Sequence, residues 1–298
     1  MTVETTMNAR TEEIKEAVVY KEKKKYTFGT LVTQIWVLIV AFLFASPLLI
    51  ILNYSFRTRR ELFVGNPLHL PESFSWDNYR DAITRLDMGT TYINSIIYTV
   101  TAVLLLTFIC SITAWAIARN KGFFFRFSYI YLIIGILIPA NALFLPIYIV
   151  GFNLGLVDTR VGIILMYVAT NLSFGIFLMT SFMSTVPIEI EEAATVDGAS
   201  IYRTYFSIVL PLLKPAVATL AIIQSFAIWN EYIMTQLFVS SLSLRTITLA
   251  MASLFSIHVS EYSIAFAGIT VSVIPIIILF VCLQKYFIKG MTVGAVKG

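Results

Sequence analysis

The chain has 298 residues, 58% of them hydrophobic and only 13% charged, with a formal net charge of +4. Soluble domains carry about 25% charged residues, so the composition excludes a water-soluble globular domain. There is no GxxxxGK[ST] sequence to cradle a phosphate, and Cys110 and Cys282, each inside an apolar run, suggest neither a disulfide framework nor a metal site.

In chain order, six apolar stretches are long enough to cross hydrocarbon about 30 Å thick. They lie at 31–52, 91–118, 127–150, 161–183, 216–236 and 264–284. The first is uncharged over 22 residues and lacks a small-residue cleavage site after a short apolar core, so it reads as a retained helix. Before it stands a Lys/Glu-rich tail, residues 1–30; after it comes an extracytoplasmic loop, 53–90, and then a core over 91–284. Pro47, Pro139, Pro146 and Pro275 fall inside spans, where the freed backbone groups need neighbouring helices or a polar cavity.

Lysine and arginine set the expected orientation. Lys21, Lys23, Lys24 and Lys25 precede the first span, Arg119, Lys121 and Arg126 follow the second, and Lys285, Lys289 and Lys297 follow the last. The opposite short loops hold only Arg160 and Arg245. Positive charge marks the cytoplasmic side, which places both termini, including the tail 285–298, and the segment 184–215 there. Loop 53–90 holds five arginines, but five acids accompany them. His69 and His258 read as solvated loop residues.

The segment 184–215 contains EIEEAATVDGASIYRTYFSIVLPLLKP, residues 189–215. Pro187 predicts a helix start at its own position, and Glu189, Glu191 and Glu192 in the first turn complement the positive end of the helix dipole. Ala193 and Ala194 keep the helix thin. Asp197-Gly198 ends it, with Gly198 suited to the left-handed position past the C-cap. A second helix is expected from Ser200 to Leu210, with Ser200, Arg203, Thr204 and Ser207 as a polar stripe. Pro211 and Pro215 then turn the chain into the fifth span. A rigid acidic elbow suits docking to a partner; an ordinary inter-span loop is usually shorter.

Glu192-Ala193-Ala194, three residues, Gly198, nine residues, Ile208 and then Leu210-Pro211 resembles the EAA loop of ABC importer permeases. NSIIYTV (94–100), AWAIAR (114–119), IPANALFLPIYIVGFNLGLVDT (138–159), SFAIWNEY (225–232) and KGMTVGAVKG (289–298) extend the resemblance to sugar-type permeases of the maltose-transporter kind. It covers roughly residues 40 to 298. Two small departures are Asn141, where relatives often have a longer amide, and Ala199-Ser200. The resemblance implies an all-α membrane protein with six transmembrane helices and the type I ABC importer permease fold. It implies a coupling helix from Pro187 to Asp197 seated in a separate ATPase subunit, with Glu192 as its characteristic acid and Gly198 as its sharp turn. The C-terminal tail 289–298 is expected to touch the ATPases.

Inside the spans, polar groups are costly and therefore informative. Glu231 is the one acid or base there, near the outer end of the fifth span, and reads as an interfacial carboxylate more readily than a proton-coupling site. Amides and aromatics remain: Asn94, Asn141, Asn171, Gln224, Trp229, Asn230 and Tyr232. Aromatic walls and hydrogen-bonding amides suit neutral sugars. Amides also join helices, and Trp229 fits an interfacial belt as well as a sugar contact. Asn141, Trp229, Asn230 and Tyr232 are the candidate pathway residues.

These readings converge on a non-catalytic permease subunit of a prokaryotic cell membrane, importing a sugar such as an oligosaccharide. No cofactor is expected in the chain, since ATP and Mg belong to a partner. Its expected partners are a homologous second permease, two ATP-binding cassette ATPases, an extracytoplasmic solute-binding protein, the sugar and the lipid bilayer, with no nucleic acid. The alternatives are an ion-gradient-driven secondary carrier, a permease of the same superfamily for a non-sugar solute, and a membrane scaffold that transports nothing.

Overall fold

A computed structural model describes residues 28–64, 66, 69–257 and 262–295. The positively charged stretch Lys21 to Lys25, His258 and residues 296–298 lie outside the described residues. All regular structure among the described residues is helical. Four helices are individually long and apolar enough to cross a membrane, and two sharply bent helix pairs bring the total to as many as six.

The chain divides into two units, 1–50 and 51–298. In the first, α1 (Phe28–Phe56) begins; Trp36 is 65% exposed and Phe44 77%. A helix apolar on every side, with such side chains uncovered, is solvated by lipid rather than water.

The second unit is organised along α4 (Met88–Arg119), 32 residues and so about 48 Å long. That exceeds the hydrocarbon thickness, and the helix runs through three successive apolar clusters. Met88 packs with Trp229, Ile247 and Ala265 at one end. Tyr98 and Ala102 pack with Ile163, Met166 and Phe238 in the middle. Leu106, Cys110 and Ala114 pack with Ile176, Met179 and Val209 at the other end. The main companion of α4 is α7 (Arg160–Met183). Their approach depends on Gly175: a Cβ there would stand 2.5 Å from Cys110 Sγ and 2.8 Å from Leu106 Cδ2. Small residues permit such close helix contacts where lipid supplies little hydrophobic drive.

Three departures from the sequence reading concern spans and elbow. The third stretch, 127–150, is two helices, α5 (Phe123–Leu137) and α6 (Ala140–Asn153), with a sharp bend between them. Ile138 is extended (φ −79°, ψ 123°) because Pro139 disfavours a helical conformation in the residue before it. The fifth stretch, 216–236, is also broken. Helix α11 (Lys214–Trp229) ends at Asn230, and α12 (Ile233–Phe238) follows after a short turn. The third departure is π-helical winding at Thr204–Val209, between α9 (Ile201–Arg203) and α10 (Leu210–Leu212). The bend from this segment into α11 is 70° and falls at Leu213, between Pro211 and Pro215.

The remaining helices are α2 (Arg59–Val64), α3 (Asp77–Arg85), α8 (Glu189–Val196), α13 (Ile247–Ile257) and α14 (Tyr262–Ala295). Helix α14 contains Pro275 and continues into the tail. In the 53–90 loop, Arg57 is buried and donates to Asn53 Oδ1 and to the carbonyls of Asn66 and His69. Its guanidinium also stands 4.7 Å from the Tyr54 ring centre. One cation therefore gathers the start of that loop, satisfying carbonyls that no helix uses.

Candidate functional site

The acidic elbow starts two residues later than expected. Ile188 is the N-cap of α8, so Pro187 precedes the helix instead of opening it. The end is as anticipated. Gly198 has φ +76°, its N–H donates to Thr195 O at 3.0 Å, and the Ala199 N–H donates to Ala194 O at 2.9 Å. That pair of bonds is a Schellman closure, which a left-handed glycine makes without a Cβ clash.

The three carboxylates of α8 divide by face. Glu189 and Glu192 are exposed, beside exposed Ala193, Asp197 and Val196, the last 87% exposed. Glu191 and Ala194 turn inward and are buried. Glu191 accepts from Trp115 Nε1 at 2.8 Å and from Arg119 Nε at 2.7 Å, and Arg119 also donates to Val186 O at 2.9 Å. Tyr205 continues the contact, with its ring 5.1 Å from that of Trp115 and its hydroxyl 2.7 Å from Ser111 Oγ. Ser111, Trp115 and Arg119 all belong to the last two turns or so of α4. A cavity of about 380 Å³ lies between elbow and helix, lined by Trp115, Arg119, Glu192, Ala199 and Ile201 among others.

This welding was missed from the sequence. A usable signal was present in AWAIAR, because Trp115 and Arg119 are spaced i, i+4 and so share one face of α4. What the sequence could not supply was which of the three acids meets them.

The candidate pathway residues are not brought together by hydrogen bonds among the described residues. Asn141 is exposed, just after the bend at Pro139. Trp229, read as belt or sugar contact, is packed in the core instead, 7% exposed and 6.2 Å from the Tyr92 ring. Asn230 is exposed and donates to Phe226 O at 2.9 Å. Tyr232 is half-buried and lines a pocket of about 240 Å³ with Gln236, Arg245 and Ser253. Glu231 has a structural assignment: its carboxylate accepts from the N–H groups of Met234 (2.8 Å) and Thr235 (2.9 Å) and from the Thr235 hydroxyl (2.8 Å). It therefore caps α12, which is why the fifth stretch breaks where it does.

The amides Asn94 and Asn171 serve packing. Asn94 is buried and donates to the carbonyls of Ser243 and Arg245; Asn171 donates to Tyr167 O and Thr170 Oγ1. Gln224 is buried, with Oε1 lacking a partner among the described residues.

A chain with up to six crossings, carrying an ordered elbow locked to a 32-residue core helix, is the architecture of a multi-pass membrane transport subunit. The family described as binding-protein-dependent transport system inner membrane component matches residues 110–293, and the chain belongs to it. It is 33% identical over 260 residues to a probable starch degradation products transport system permease protein, AmyC, of Thermoanaerobacterium thermosulfurigenes, covering 87% of this chain and 94% of that one. It is also 33% identical, over 261 residues, to the melibiose/raffinose/stachyose import permease protein MelC of Bacillus subtilis (strain 168), with the same coverage of 87% and 94%. Among solved structures, a chain of a bacterial ABC transporter involved in the import of the acidic polysaccharide alginate matches with a TM-score of 0.77. That match has 24% identity and covers 88% of this chain and 99% of the other. The fold is therefore that of an ABC importer permease.

Proposed function

We propose that this chain carries a sugar, of oligosaccharide size, through the membrane as one half of an ATP-driven importer. ATP is hydrolysed by separate ATPase subunits that dock on α8, so the chain itself needs no cofactor and does no covalent chemistry. A homologous second permease completes the pathway, and a solute-binding protein delivers the sugar from outside. Both termini and α8 face the cytoplasm. Asn141 and Asn230 contact the passing solute, and Tyr232, now at the Arg245 pocket, and Trp229, now in the core, join them only if the bundle repacks between states.

The observation that carries this reading is the locked elbow. Its outward face offers Glu189, Glu192, Ala193, Asp197 and Val196 to a partner, while Glu191 ties the same short helix to the end of α4. A partner that moves α8 thereby moves a helix reaching through the membrane, which suits alternating access driven from one end. The sugar assignment draws on the starch-product and melibiose-family relatives and on the scarcity of charge within the spans. The capping role of Glu231 speaks against a proton relay at that position.

Uptake tests the proposal. Vesicles containing this chain, its companion permease and the ATPases should accumulate sugar only with ATP. Glu192→Lys and Gly198→Asp should abolish accumulation while the assembled complex still hydrolyses ATP. Uptake that ignores these variants, or follows an ion gradient without ATP, would establish the secondary-carrier alternative.

A further inference from the structure

The loop between α12 and α13 is held far more firmly than a connector requires. Asn94 donates to the carbonyls of Ser243 (2.8 Å) and Arg245 (3.1 Å). Tyr98 donates to Leu244 O at 3.3 Å, and Ser95 Oγ accepts the Ile247 N–H at 2.9 Å. From another direction, the Asp158 carboxylate accepts the N–H groups of Ser240 (3.0 Å) and Ser241 (2.9 Å) together with the Ser241 hydroxyl. Side chains from α4 and from the turn before α7 therefore fix the backbone from 240 to 247.

Two groups on this rigid loop stand without a partner among the described residues. Leu242 is 71% exposed, within a polar stretch that offers no run of lipid-facing residues. Arg245 lines the pocket of about 240 Å³ with Tyr232, Gln236 and Ser253. Its Nε is buried without a hydrogen-bond partner, and no acid among the described residues is paired with it. Glu231, the acid that precedes Tyr232, has both oxygens engaged in capping α12. The guanidinium is a permanent cation at the pocket wall, and its planar fork fits a carboxylate better than any neutral group.

We infer that this pocket receives the carboxylate of an aspartate or glutamate side chain from the solute-binding protein. The inference rests on the importer reading above. The pocket is smaller than the roughly 300–1,000 Å³ of sites that enclose whole small molecules, so it takes a side-chain tip and not an oligosaccharide. Its place along the fold selects the partner. Asn94, which holds the loop, is 25 residues from Arg119, which holds the elbow, or about 38 Å along α4. The two features thus sit at opposite ends of the membrane-spanning spine. With the elbow on the ATPase side, the pocket opens on the outer side, where the binding protein arrives through water. A preorganised cation costs little ordering on contact and steers an acidic partner during encounter.

The test uses the whole complex, with both permeases and ATPases, in nanodiscs, titrated with its sugar-loaded binding protein while ATP hydrolysis is followed. Arg245→Gln should raise the half-saturating concentration of binding protein about tenfold and flatten its dependence on salt. The rate with ATP alone, the maximal rate and the melting temperature should stay as in the wild type, and Arg245→Lys should fall between the two. Equal half-saturation in wild type and Arg245→Gln overturns the inference. So does loss of the second permease from the purified variant complex, which would assign the carboxylate to that subunit. A fall in uptake confined to saturating binding protein also overturns it, since the pocket would then contact the sugar. If binding protein fails to stimulate even the wild type, the importer reading itself falls, an outcome separate from the others.

Discussion

Glu191 and Arg119 place opposite charges 2.7 Å apart, with side chains only 12% and 17% exposed. Removing one partner strands the other in a poorly hydrated place, so either Glu191→Met or Arg119→Met should cost about 3 kcal/mol, whereas the double variant should recover much of that loss. Thermal melts of the purified complex, arranged as a double-mutant cycle, measure it. Asp158 offers a second residue-scale prediction, tied to pH. The hydroxyl and N–H of Ser241, followed by the N–H of Ser240, hold its carboxyl below the usual carboxylate range, and a small opposing effect of burial does not reverse this. A depressed folded-state pKa contributes stability above the unfolded value, and that contribution disappears as pH falls through the folded value. The melting-temperature gap between wild type and Asp158→Asn should accordingly be widest near neutral pH and close in acid. A gap constant with pH would remove Asp158 from the account.

Elements here are decided by their ends and their closest approaches. Gly198 at φ +76° closes α8, and a Cβ in that left-handed position costs about 1–2 kcal/mol. Gly198→Ala should lower the sugar moved per ATP, and Gly198→Asn, which tolerates the conformation better, should lower it less. Parallel uptake and hydrolysis measurements on one preparation give that ratio. Between α4 and α7 the limit is volume. Gly175→Val drives side-chain atoms into Cys110 and Leu106, and overpacking of this kind costs about 1–3 kcal/mol. The same variant with Cys110→Ala should regain part of the loss in a melting assay. No regain would mean that the helices separate for another reason.

Across the whole molecule, the elbow and the Arg245 loop belong to opposite ends of α4, and this is open to chemical labelling. In a Cys282→Ser background, with Cys110 buried, a cysteine at Leu242 should react with a membrane-impermeant maleimide added to intact cells. A cysteine at Val196 should react only after the membrane is opened. Reversed labelling would overturn the orientation drawn from lysine and arginine.

Much of this arrangement is legible without a structure. Apolar length marks the crossings, because hydrocarbon requires about 20 residues per helix irrespective of what those residues touch. The acid, alanine and glycine order of the elbow marks a short helix and its stop, because dipole and left-handed cap act within a few residues. Tertiary contacts decided everything that depends on a partner distant in the chain. Glu189, Glu191 and Glu192 are alike in sequence, and only the Trp115 and Arg119 face of α4 turns one of them inward. Trp229 and Tyr232 look equally suited to a pathway, yet Tyr92 and the packed ends of α13 and α14 take the first into the core and leave the second at a pocket. Arg245 is one of two isolated cations in the short loops at that end when read along the chain. It becomes a candidate docking point only because Asn94, Ser95, Tyr98 and Asp158 hold its loop still from positions about 85 to 150 residues away, a constraint that local propensity cannot encode.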